Sequence, residues 1–325
     1  MLIHALAVVA GFALLMWGAD RFVAGAATTA RNLGVSPLIV GLTIVGFGTS
    51  APEMLVSATA AWQGNPGLAV GNAVGSNITN IGLILGVTAL ITPLEVHSGI
   101  LKRELPVLLG VMILSLVLLL NGRLGRMDGV ILLAAMVILI AWITRLALRG
   151  RDPDPLAQEY AQEIPSGMGT TAALGWVALG LVVLVASSRI LVWGAVGIAH
   201  ALNVSDLIIG LTVVALGTSL PELAASVASA RKGEHDIAIG NVIGSNMFNL
   251  LAVLGLPGLI RPALLDPQVL TRDFPVMFAF TVGLFLLAYG FRTPGRITRL
   301  EGLLLVVAYC AYETLLYFSG RPPGV

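Results

Sequence analysis

Of 325 residues, 57% are hydrophobic and only 11% charged, where a soluble domain carries about 25% charged residues; such a chain has too little polar surface to remain in water. A net charge of +1 gives no footing for nucleic acid or an acidic macromolecular partner, and the lone Cys310 cannot close an intrachain disulfide. The absence of HExxH, Walker A, GxSxG, Cys-x-x-Cys and dinucleotide fingerprints removes the common soluble-enzyme chemistries.

A membrane-spanning helix needs about 20 apolar residues, and on that basis ten candidate spans follow one another along the chain. The first, 2–24, has no Lys or Arg ahead of its apolar run, so it reads as a span and not as a signal peptide. Then come 36–62, 67–91, 101–120 and 127–148. A Pro-rich, charged stretch over 149–170 reads as a cytoplasmic connecting loop, too short for a folded regulatory domain. Beyond it lie 171–195, 205–230, 236–260, 273–291 and 299–319. The expectation is an all-α membrane protein of two five-helix units, 1–148 and 171–325.

Those units are copies. A shift of 169 residues superposes 41–90 on 210–259 without a gap, with 22 identities in 50 positions. An odd number of spans per copy forces the second to enter the membrane inverted. Basic residues agree: with the N-terminus outside, 11 fall in cytoplasmic connections and 5 in external ones. Both termini are therefore expected outside a cell (inner) membrane. Inverted repeats with interrupted helices at the midplane are the build of secondary transporters.

The repeated segments "GTSAPE" from Gly48 and "GTSLPE" from Gly217 place Glu53 and Glu222 inside apolar runs. A carboxylate at a helix centre costs about 2.5–3.5 kcal/mol on insertion scales, and neither has a basic residue near it in sequence. Pro52 and Pro221 remove a backbone donor and should break each helix, leaving carbonyls unpaired among Thr49, Ser50, Thr218 and Ser219. The next span of each copy adds residues spaced by four, Asn72, Ser76 and Asn80, then Asn241, Ser245 and Asn249. Ser57, Ser226, Asn77 and Asn246 suit either packing or binding, whereas Gly41, Gly71, Gly75, Gly210, Gly240 and Gly244 suit close helix packing. Carboxylate, hydroxyl, amide and carbonyl oxygens without imidazole or thiolate describe a site for a hard cation such as Ca²⁺, which Na⁺ can contest.

The paired "GTSAPE…GNAVGSNITN" and "GTSLPE…GNVIGSNMFN" resemble the two alpha-repeats of the sodium/calcium exchanger family, within the cation/calcium exchanger superfamily. The short prokaryotic members are the most similar. The resemblance implies ten helices as two inverted repeats, no cofactor, Na⁺ and Ca²⁺ as transported ions, and alternating access by sliding of the first and sixth helices. Matched by motif, the implied ligands are Thr49, Ser50, Glu53, Ser76 and Asn80, then Thr218, Ser219, Glu222, Ser245 and Asn249, with carbonyls of Gly46 and Ala215. Asn249 stands where potassium-dependent members carry Asp, leaving two formal negative charges in this set. The leading expectation is a Na⁺/Ca²⁺ antiporter exporting Ca²⁺, with H⁺/Ca²⁺ or other divalent exchange as the alternative. A channel is disfavoured because an inverted repeat within one chain suits alternating access. An intramembrane enzyme lacks a nucleophile–base pair.

Overall fold

The computed structural model describes residues 1–35, 46–97, 99–149, 168–289 and 295–319. Apart from two short ladders, the regular structure among these is helical. Seven helices are long and apolar enough to cross a membrane, or eight if the bent pair Asp206–Thr218 and Leu220–Lys232 is one span.

Leu2–Asn32 and Thr170–Leu202, of 31 and 33 residues, run past the ends that apolar content suggested at 24 and 195. The small residues that follow Ala24 lower hydropathy without breaking a helix, so polarity marked the end too early. At 1.5 Å per residue, 31 residues make about 46 Å, more than the ~30 Å hydrocarbon core, so the helix must tilt or protrude. Both stop in the same way. Gly34 (φ 85°) and Asn203 (φ 52°) occupy equivalent left-handed positions. Val35 and Val204 then donate back to the Ala30 and Ala199 carbonyls, each at 3.0 Å.

These two helices lie against each other along small residues. A Cβ added to Gly25 would stand 2.5 Å from the Ala173 carbonyl, and one on Gly180 2.8 Å from that of Gly18. Without a water-driven hydrophobic effect inside lipid, such backbone proximity is what makes helices adhere.

The proline-bearing segments are broken as their sequence requires. Gly46–Thr49 gives way to Ala51–Gln63 through Ser50 (φ −84°, ψ 2°). Asp206–Thr218 gives way to Leu220–Lys232 through Ser219 (φ −86°, ψ 3°), with a 40° bend. Each proline sits in the first turn of the second piece, where a missing N–H costs nothing.

Left-handed Gly64 and Gly233 then turn the chain into Pro66–Ile91 and His235–Ile260, the most enclosed of the spans. Gly71 and Gly210 cross almost backbone on backbone: a Cβ on either would come within 2.4–2.5 Å of a carbonyl, Leu207 or Leu68. Gly75 is as tight against Leu211, at 2.6 Å. The packing expected of Gly41 lies outside the described residues, and Gly244 has no described atom within 4 Å of its added Cβ.

Gly99–Leu119, Arg126–Arg149, Val269–Ala288 and Arg299–Ser319 flank this centre. Their connections form the two ladders, Leu94–Val96 antiparallel to Gly295–Ile297, and Arg123–Leu124 antiparallel to Ala263–Leu264. Each joins a loop of the first half to one of the second.

Candidate functional site

Glu53 and Glu222 are fully buried, each in the first turn after its helix break. Each carboxylate receives a serine hydroxyl. Ser219 Oγ donates to Glu53 Oε1 at 3.4 Å, across the repeats, and Ser245 Oγ donates to Glu222 Oε1 at 3.3 Å, within one repeat. Among the described residues no Lys, Arg or His forms an ion pair with either glutamate.

Around the pair stands a two-fold frame built on asparagines. Asn72 Nδ2 donates to the Glu53 backbone carbonyl at 3.2 Å and to Ser57 Oγ at 2.9 Å. Asn241 Nδ2 does the same for the Glu222 carbonyl at 3.2 Å and Ser226 Oγ at 3.1 Å. Their own carbonyls are served from the opposite repeat: Thr218 Oγ1 donates to Asn72 Oδ1 at 3.1 Å, and Thr49 Oγ1 to Asn241 Oδ1 at 3.4 Å. Ser57 and Ser226 donate onward to the Ala69 and Ala238 carbonyls, both at 3.3 Å. These serines tie one helix to the next, so packing is their role.

Inside the frame are oxygens that accept nothing. Ser50 Oγ, Glu53 Oε2, Ser76 Oγ, Asn80 Oδ1, Glu222 Oε2 and Asn249 Oδ1 are buried without a hydrogen-bond partner. An orphaned buried polar group costs about 1–3 kcal/mol, more if charged, so six together are a large standing penalty unless something positive completes them. Among the described residues no cluster of three or more His, Cys, Asp or Glu could hold a metal. The unpartnered amide nitrogens of Asn246 and Asn249 cannot ligate a cation, so the ligands on offer are oxygens, the preference of Ca²⁺ and similar hard cations.

Set beside known proteins, the chain matches the sodium/calcium exchanger protein family over residues 3–145 and 172–318. The chain belongs to the sodium/calcium exchanger family. It is 49% identical to the candidate antiporter CaxA of Alkalimonas amylolytica over 98% of this chain and 100% of that one. It is 35% identical to the sodium/calcium exchanger MaX1 of Methanosarcina acetivorans over 95% and 97%. Among solved structures, the sodium-calcium exchanger NCX_Mj superposes with a TM-score of 0.67 at 32% identity, covering 95% of this chain and 97% of that one. As a member of this family the exchanger is a membrane cation/Ca²⁺ transporter and not an enzyme, and it needs no cofactor.

The exchanger brings together Thr49, Ser50, Glu53, Ser76, Asn80, Thr218, Ser219, Glu222, Ser245 and Asn249, all buried. The Ala215 carbonyl differs from the expectation of a bare oxygen: it accepts the Ser219 N–H at 3.1 Å and the Thr218 hydroxyl approaches it at 3.4 Å, because the donor that Pro221 lacks would have served residue 217 and not 215. Gly46 opens the described Gly46–Thr49 piece. Asn246 bridges to Asn80, whose Nδ2 donates to its Oδ1 at 3.1 Å, while Asn77 bonds to Ala73 in its own helix.

Two features were missed. One is the framing role of Asn72 and Asn241, which share the four-residue spacing of their neighbours and so looked like further lining. The other is that Asn80 and Asn249 each open a π-helical turn, Asn80–Leu85 and Asn249–Val253. Such turns recur at functional sites because the extra residue re-aims the side chains that follow.

Proposed function

We propose that the chain is a Na⁺/Ca²⁺ antiporter of ten helices in two inverted five-helix repeats, exporting Ca²⁺ against Na⁺ entry by alternating access. The observation that carries this is the set of orphaned buried oxygens, contributed by both repeats, around two glutamates without a basic partner. Glu53 and Glu222 supply two negative charges, which one Ca²⁺ or two Na⁺ neutralise. Thr49, Ser50, Ser76, Asn80, Thr218, Ser219, Ser245, Asn249 and the Gly46 and Ala215 carbonyls supply neutral oxygens to replace the ion's water. Na⁺ and Ca²⁺ have similar radii, so they compete at shared positions, and competition at a site open to one side at a time is antiport.

The inverted arrangement is supported by the matching caps at Gly34 and Asn203, the matching turns at Gly64 and Gly233, and the two ladders. If each helix crosses, the ladders lie on opposite membrane faces, related by the same two-fold as the site. Both termini are external on this reading, the connecting loop over 149–170 is cytoplasmic, and the first and sixth helices, joined along small residues, slide as one.

The test is ⁴⁵Ca²⁺ uptake into proteoliposomes loaded with Na⁺. Uptake should accelerate when the Na⁺ gradient is outward and vanish when Na⁺ is equal on both sides. Uptake indifferent to Na⁺ but driven by a pH gradient would replace this reading with H⁺/Ca²⁺ exchange.

A further inference from the structure

The ion site as described carries two acids, and a third stands on a helix packed against Pro66–Ile91, which supplies Ser76 and Asn80 to that site. Arg299–Ser319 runs antiparallel along Pro66–Ile91 with little between the backbones. A Cβ on Gly302 would stand 2.7 Å from the Gly86 carbonyl, and one on Gly82 2.9 Å from Tyr309 Cβ. Continuing the seam by one turn sets Glu313 opposite Thr79, the residue immediately before Asn80. The Thr79 hydroxyl and Glu313 Oε1 are both buried and unpartnered, and the Tyr309 hydroxyl faces both. Arg272, close to Tyr312, which precedes Glu313 in the chain, is engaged elsewhere: its Nε pairs with Asp273 at 2.6 Å, and the Tyr312 hydroxyl donates to the same carboxylate at 2.9 Å.

The repeat provides its own control for what packing alone demands. The close glycine pairs Gly302–Gly86 and Gly129–Gly255 align the two seams, so that Thr79, Tyr309 and Glu313 correspond to Phe248, Met136 and Ile140. There, too, a helix pair meets closely, with Gly255 against Leu132 and Gly258 against Leu124. That seam holds without an acid. Glu313 therefore bears the cost of an intramembrane carboxylate for something other than helix association.

We infer that Glu313 is a third carboxylate of the ion pathway, a negative charge behind Asn80 that raises cation occupancy without coordinating the ion. The inference rests on the antiporter reading above. Attraction scales with the charge of the ion and falls only as the inverse of distance in a poorly screened interior, so Ca²⁺ gains more from it than Na⁺. The Tyr309 hydroxyl faces the carboxylate, and a hydroxyl does not cancel its charge as a basic partner would.

Na⁺-driven ⁴⁵Ca²⁺ uptake by wild type, Glu313→Gln and Glu313→Asp tests this, with thermal unfolding in detergent as the folding control. Glu313→Gln should raise the KM for Ca²⁺ several-fold, and the half-saturating Na⁺ concentration less, at an unchanged maximal rate. Glu313→Asp should recover most of the loss. A Gln variant with the wild-type KM, or an Asp variant as impaired as Gln, would overturn the inference while leaving the antiporter reading intact. Wild-type uptake that ignores the Na⁺ gradient would instead overturn that reading, and this inference with it.

Discussion

The frame around the two glutamates is symmetric; the hydroxyls within it are not. Every bond made by Asn72 has its counterpart at Asn241, with lengths agreeing to within about 0.3 Å. The serines break that rule. Both serines that donate to a carboxylate, Ser219 and Ser245, come from the second repeat, whereas their equivalents Ser50 and Ser76 are unpartnered. The backbone thus keeps the two-fold relation that the duplication dictates, and the side chains within it occupy one of two related arrangements. Exchanging the serine roles produces the other arrangement without disturbing an asparagine. Under the alternating access proposed above, a fixed frame around an interior with two such arrangements is the division required.

The comparison fails at its root if the two acids are not equivalent in use. Glu53→Gln and Glu222→Gln should each cut Na⁺-driven Ca²⁺ uptake by about a hundredfold or more, equal to at least ~2.7 kcal/mol, while the protein stays monodisperse and folded. One variant transporting near the wild-type rate would end the equivalence.

Inversion itself is open to an all-or-none test. Gln63 and Lys232 are exposed at equivalent hairpins, and single cysteines there in a Cys310→Ser background should label from opposite sides, position 63 from outside. Labelling of both from one side removes the two-fold.

The symmetric frame predicts matched losses. Asn72→Ala removes the donor to the Glu53 carbonyl and to Ser57 and one acceptor of Thr218, and Asn241→Ala does the same to their counterparts, so the two backbone carbonyls lose the bonds that tie them to the next helix. At about 1–3 kcal/mol for each buried group left without its partner, both should lower the thermal midpoint markedly and by similar amounts. A large difference between them would show that one half of the frame carries the fold.

The smallest effects should come from the serines, and unequally. Without ions, Ser219→Ala and Ser245→Ala remove a hydrogen bond to a carboxylate, and Ser50→Ala and Ser76→Ala remove none. The first pair should be less stable by about 1 kcal/mol, the low end for such bonds given their length. With saturating Ca²⁺ all four should lose affinity alike. Equal stabilities without ions would erase the distinction.

Much of this was legible in the sequence because helical spacing is local. A carboxylate four residues from a threonine and from a serine declares a polar face whatever surrounds it, and Pro52 and Pro221 announce a break. What stayed hidden depends on partners far along the chain. That Asn72 is read by Thr218 requires the two repeats to be packed, and nothing near Asn72 says so. The π-helical turns at Asn80 and Asn249 leave no compositional mark, since they arise from which carbonyl each amide meets. Glu313 was visible as an acid in an apolar run, but its meaning lies in Thr79 on another helix. Even the overlong first and sixth apolar stretches had their ends set by left-handed turns at Gly34 and Asn203, not by polarity.

The crossed asparagine bonds also bear on what a half of this molecule could be. Asn72 takes its hydroxyl from Thr218, and Asn241 takes its own from Thr49. A chain ending before residue 168 would hold Asn72 without Thr218 and Thr49 without Asn241, so on the inverted reading it could rebuild these crossed bonds only against a second copy lying upside down beside it. On that reading the chain is an antiparallel homodimer fused into one polypeptide, with local concentration replacing affinity between the halves. Fusion also releases the halves from identity, and Glu313, Thr79 and Tyr309 are residues that a true dimer would be obliged to carry twice.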